Sequence, residues 1–179
     1  MLLVFIFTSL CCSLSGQKGP SPVDTSLNLS LPYKLELQKV GGMPWKAISI
    51  YNAKYTPLQG DTVRRCRVSI SSITGAFSSI ASTSIHEAVA NLTADQATYL
   101  REDLSRLFVI AKQGSPKAIV SYRNEVKGKL TYTLEGNPAW GYNLWMSIDA
   151  FPRRWEKIPI NVVGKFAKVL DACIEFAKP

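Results

Sequence analysis

Eleven side chains in this 179-residue chain have types and spacing suited to one chemistry: Lys34, Lys46, Tyr51, Tyr55, Arg65, Arg67, Lys127, Lys129, Trp145, Arg153 and Arg154. Lys and Arg track phosphates, and exposed aromatic rings stack on bases. Together they hold a single nucleic-acid strand without reading its sequence, each stacked base contributing about 1–3 kcal/mol. Strand alternation sets Lys34, Tyr51, Tyr55, Arg65, Arg67, Lys129 and Trp145 off the apolar side. The competing expectation is that Tyr51 and Trp145 fill a seam between packed sheets, and that Arg153-Arg154-Trp155 is a solvated basic turn.

Catalytic chemistry has little to stand on. The chain has no Gly-x-Ser-x-Gly and no Gly-rich phosphate loop, and its sole imidazole, His86, sits on a strand beside Glu87. Glu102 and Asp103 are adjacent on a helix and splay apart, so they form no acid/base pair. One His, and no Cys-x-x-Cys beyond the first residues, leave no metal-ligand spacing. The expectation is a non-catalytic protein without metal or cofactor.

The elements that must position these residues form a pattern stated twice: short alternating strands, then an amphipathic helix ending in Leu-x6-Ala-Lys. Ala97, Leu100, Leu104, Leu107 and Ala111 share one helix face, and 66 residues later stand Val163, Phe166, Leu170, Cys173 and Ala177. Strands are predicted at 33–40, 46–55, 63–70 and 85–92 in the first unit, with Gly41-Gly42 as a turn and 71–84 as a loop. Leu35 and Leu37 are expected on one face of the first strand, with Lys34, Glu36 and Gln38 on the other. Cys66, Val68 and Ile70 point inward on the third. Thr93 with Gln96 is a capping box, and Gly114 and Pro116 mark the helix stop. The second unit is predicted as strands at 118–126, 129–135, 142–149 and 155–160, then a helix over 162–178 capped by Asn161. Its hairpin lines Leu130, Tyr132, Leu134, Leu144, Met146 and Ile148 on one face, leaving Lys129, Thr131, Thr133, Asn143 and Trp145 on the other, with Trp140 near the tip.

The fold class is therefore α+β, a tandem repeat of a four-stranded antiparallel sheet followed by a helix, with units at 33–114 and 115–179. Residues 17–32, with Pro20, Pro22 and Pro32, read as a linker. Residues 1–16 are an apolar run ending in small residues, too short to span a bilayer, and read as a signal or targeting leader. The net charge of +8 lies wholly outside that leader and favours polyanions or anionic membranes as partners, or simply solubility. Cys66 and Cys173 read as buried thiols, with pairing in an oxidising compartment as the alternative. Val162, Val169 and Phe176 add a second apolar stripe to the last helix, which predicts oligomerisation through it.

Over Ile85-His-Glu-Ala-Val-Ala-Asn-Leu-Thr-Ala-Asp-Gln96, Gly141-Tyr-Asn-Leu-Trp-Met-Ser-Ile148 and Lys157 to Pro179, the chain resembles the Whirly family of single-stranded DNA-binding proteins. By order of elements the likeness runs from Tyr33 to Pro179. The family's Lys-Gly-Lys-Ala-Ala-Leu run is absent near Tyr33–Leu37 and Trp45–Ala47; Lys127-Gly-Lys-Leu130 stands in the second unit instead. The resemblance implies a Whirly-like fold, related to the positive cofactor four coactivator and the kinetoplastid guide-RNA-binding proteins. It further implies single-stranded DNA or RNA as partner, a homo-tetramer, and a mitochondrion or plastid as location. A second expectation takes the leader at face value: an exported α+β module that binds a protein, glycan or anionic surface.

Overall fold

The computed structural model describes residues 32–42, 48–74, 84–113, 120–126, 130–137, 141–149 and 155–179. Among them, eight strands and two helices follow one another as β1 Tyr33–Gly42, β2 Ile48–Pro57, β3 Val63–Thr74, β4 Ser84–Leu92, α1 Ala94–Gln113, β5 Val120–Val126, β6 Leu130–Asn137, β7 Gly141–Ile148, β8 Glu156–Pro159 and α2 Ile160–Ala177. The strands form two antiparallel sheets, β1-β2-β3-β4 (sheet A) and β5-β6-β7-β8 (sheet B). The leader, the linker up to residue 31, Gly114, Pro116, Trp140, Lys46, Lys127, Lys129, Arg153 and Arg154 lie outside the described residues.

Apolar alternation builds one core. Ile48 and Ile50 pair with Ile70 and Val68, and these join Cys66, Ala90 and Leu92 on the helix-facing side of sheet A. Leu130, Tyr132 and Leu134 pair with Ile148, Met146 and Leu144 on the corresponding side of sheet B. The predicted helix faces close the core: Ala97, Leu100, Leu104 and Leu107 on α1, and Val163, Phe166, Leu170, Cys173 and Ala177 on α2, are all buried. The two helices lie against each other. Arg101 Nε donates to Asp171 Oδ1 across them at 2.8 Å.

Each helix also reaches the sheet of the other repeat. α2 packs across β1, β2 and β3, where the Cys173 thiol donates to the Tyr51 carbonyl at 3.2 Å. The Cys66 thiol, raised by its neighbour Cys173 and by burial, sits on β3 beneath it. Both are free thiols.

The α1 capping box is present: Gln96 N–H donates to Thr93 Oγ1 at 3.2 Å, and Thr93 N–H donates to Gln96 Oε1 at 3.0 Å. The expected cap of α2 is corrected. Pro159 holds the N-cap position and makes no side-chain cap bond, while Asn161 lies inside the first turn. Proline suits the entry because its fixed φ is compatible with it and the first N–H groups have no helical partner. Thr93 and Pro159 are 66 residues apart, the same offset as the apolar faces, so helix starts and buried stripes repeat in register.

Three strand expectations are also corrected. Gly41 and Gly42 continue β1 opposite Ile50 and Ser49 after a bulge between Lys39 and Gly41. A glycine is required at 41, since a Cβ there would come 2.6 Å from Val169 Cγ1 of α2. Part of the predicted 71–84 loop is strand, with Ser71 to Thr74 paired to Glu87 to Ser84. The first strand is inverted as well. Leu35 and Leu37 stand opposite Tyr55 and Ala53 on the face away from the helices, and Lys34 and Glu36 share the helix-side face at the sheet's edge.

Candidate nucleic-acid interface

The face of sheet A turned from the helices is set by register. Lys39, Tyr51, Arg67 and Asn91 line one row across the sheet, and Leu37, Ala53 and Arg65 the next. Two expected contact residues are withdrawn from solvent here. Tyr55 is 2% exposed, its ring 5.3 Å from that of Tyr33 at a 57° tilt. Burial pushes its hydroxyl pKa up, against the lowering influence of Arg67. Arg65 is 6% exposed and donates to the Arg64 carbonyl at 2.7 Å. Arg67 lies on the expected face with 14% of its side chain exposed, and its guanidinium is 3.8 Å from Glu87, which also accepts from Ser69 Oγ. Tyr51 remains half-buried. Lys34 is exposed but on the other side of the sheet, paired with Glu36 at 2.6 Å. The structure therefore does not bring Lys34 together with Tyr51 and Arg67. The physical reason is that close-packed neighbours, and the flip of β1, decide accessibility after alternation has decided direction.

The outer face of sheet B is buried along its middle, at Thr131, Thr133 and Ser147, and exposed at its rims. Thr133 pairs with Trp145, and Trp145 with Lys157, so these three form a row, with Arg123 opposite Thr133 on β5. The Lys157 ammonium lies 5.9 Å from the Trp145 ring centroid, and the Arg123 guanidinium lies 5.9 Å from that of Trp155. Arg123, Trp155 and Lys157 are exposed and Trp145 is half-buried. Glu125 and Glu135 occupy the β5–β6 side of the same face. Of the contact residues named from sequence, Trp145 is the one on this face among those described. Arg123, Lys157 and Trp155 were missed as contacts, although the strand periodicity that placed Trp145 also sets Lys157 beside it.

A second feature escaped the sequence. Asp103 of α1 is buried beneath sheet B and accepts from Tyr132 Oη at 2.6 Å, Asn124 Nδ2 at 2.9 Å, Tyr122 Oη at 3.0 Å and Arg106 at 2.7 and 3.0 Å. Arg106 also lies 4.8 Å from the Tyr122 ring centroid. Burial alone would raise the Asp103 pKa, but the bonds from Tyr132, Asn124, Arg106 and Tyr122 win and hold it below the usual carboxylate value. Burial and the same carboxylate push Tyr122 up to about 12 and Tyr132 further. With every oxygen engaged by donors on α1 and sheet B, the group anchors one to the other.

A cleft of about 650 Å³ separates the start of α1 from the end of α2, lined by Arg64, Arg65, Thr93, Asp95 and Lys178 among others. Asp95 opposes an anion there, and Lys178 is engaged with Glu175 at 2.6 Å. Among the described residues, no cluster of three or more His, Cys, Asp or Glu is arranged to hold a metal ion, and no helix is long and apolar enough to cross a membrane. No protein-family profile, curated protein or solved structure matches the chain.

Proposed function

We propose that this chain is a non-catalytic, Whirly-like protein that binds single-stranded DNA or RNA on the outer face of sheet B. The observation that carries the reading is the pairing of cations with rings on that face: Lys157 beside Trp145 and Arg123 beside Trp155. Phosphates follow the cations, and a base stacks on the Trp145 indole, whose neighbour in the row, Lys157, offers an ammonium at its edge. The basic balance of the whole chain adds long-range attraction for a polyanion.

Fluorescence anisotropy with labelled single-stranded DNA and RNA across a salt series tests it. Affinity is expected to fall with salt as phosphate contacts release counterions. Trp145→Ala is expected to weaken binding by roughly 5- to 150-fold, the equivalent of one lost stack. Absent binding, salt-independent binding, or full affinity in Trp145→Ala would overturn the reading.

A further inference from the structure

Among the described residues the strand order leaves β1 at an edge of sheet A, so alternate backbone N–H and C=O groups of Tyr33–Gly42 point away from β2. Of the other edges, β5 is shorter, at seven residues. β8 has four residues and ends in proline, and β4 lies close to β7. By contrast β1 has ten residues and no proline, and it leaves Tyr33 40% and Leu37 45% exposed. Its faces are sorted, with Tyr33, Leu35 and Leu37 on one and Lys34, Glu36 and Gln38 on the other.

We propose that β1 pairs antiparallel with β1 of a second copy about a two-fold axis through Leu35, joining two A sheets into one of eight strands. A two-fold axis normal to the sheet sets like face beside like face, and the charges of β1 are complementary to themselves in this register. Lys34 of each copy faces Glu36 of the other, Tyr33 faces Leu37, and Leu35 meets its own counterpart. Moving the axis by one residue sets Lys34 against Lys34, or Glu36 against Glu36, which is repulsive. Each Glu36 already lies 2.6 Å from Lys34 and 3.2 Å from Lys54 of its own chain, so the second copy's Lys34 completes a cationic ring around it. The pairing has natural ends, since Gln38 faces Pro32, which has no N–H, and the bulge follows at Lys39. The helix stripe expected to drive assembly is covered within the chain: Val169 lies against Gly41, Val162 packs on the core, and Phe176 lies 5.6 Å beneath the Arg64 guanidinium. The proposal is independent of the ligand reading.

Sedimentation equilibrium of the full chain at micromolar concentration is expected to show a dimer. Glu36→Lys and Lys34→Glu each weaken it roughly tenfold, because symmetry converts two attractive pairs into two repulsive ones. The double swap Lys34→Glu/Glu36→Lys restores it. Leu35→Cys cross-links to itself under copper-phenanthroline and air, whereas Leu37→Cys does not. A monomer throughout, a dissociation constant unmoved by Glu36→Lys, a swap that fails to restore, or equal cross-linking at 35 and 37 overturns the proposal.

Discussion

Asp103 and Val169 occupy equivalent places in the two repeats, nine residues into each helix and 66 apart. The first is a buried carboxylate held by two tyrosines, an asparagine and an arginine against sheet B; the second is a valine pressed on Gly41 of sheet A. Each helix thus uses the same position to grip the sheet of the other repeat, once through a polar network and once through close packing. Interlocking of this kind ties the two repeats together through both helices. The polar grip is directional, because its donors must all reach one carboxylate, and the apolar grip is tolerant as long as volume is kept.

The widest gap between the two positions should appear on truncation. Asp103→Ala strands Tyr122, Tyr132, Asn124 and Arg106 without their acceptor and is expected to cost about 3–5 kcal/mol in chemical unfolding. Val169→Ala removes two methyl groups and should cost about 1–2 kcal/mol. Equal losses would show that the polar network adds nothing beyond packing. Next in size, Gly41→Ala forces its methyl into Val169 and is expected to cost about 1–3 kcal/mol. Pairing it with Val169→Ala should recover part of that loss, and strict additivity would break the assigned contact.

Acidity separates the grips further. The Asp103 pKa is lowered in the fold, so its contribution is present above the unfolded value of about 3.9 and is lost as pH falls through the folded value. Tyr122, raised to about 12, contributes below its unfolded value of about 10 and loses that contribution as pH rises toward 12. Unfolding midpoints should therefore fall at both extremes in the native chain. Asp103→Asn should flatten the acid limb, while Val169→Ala should leave both limbs in place; an acid limb unchanged in Asp103→Asn would remove the carboxylate from the account.

The outer faces extend the contrast to binding. Sheet A engages its outward arginines, with Arg67 near Glu87 and Arg65 on a backbone carbonyl, and leaves Lys39 exposed at its edge, whereas sheet B leaves Arg123 and Lys157 exposed beside indole rings. Tyr51→Ala is therefore expected to lower single-strand affinity less than Trp145→Ala. Lys157→Ala should reduce the salt slope by about one phosphate contact. A larger effect at Tyr51 would move the interface to sheet A.

Much of this was legible in residue order. The helix faces, the Thr93–Gln96 box, the inward set Cys66, Val68 and Ile70, and the split hairpin with Trp145 outward are all periodic or short-range signals, determined by 3.6- and 2-residue repeats and by local hydrogen bonds. The α+β class follows from them. What only the tertiary structure decided is whatever depends on the covering neighbour. Leu35 and Leu37 lie away from the helices because the helix-side row of β1 is its polar one, beside Lys54. Tyr55 and Arg65 point outward and are nonetheless buried. Asp103 looks like one more surface acid until β5 and β6 bring their donors across twenty to thirty residues of chain. Alternation is a property of one strand and burial a property of the assembled whole, so the sequence by itself settled direction, and packing settled access.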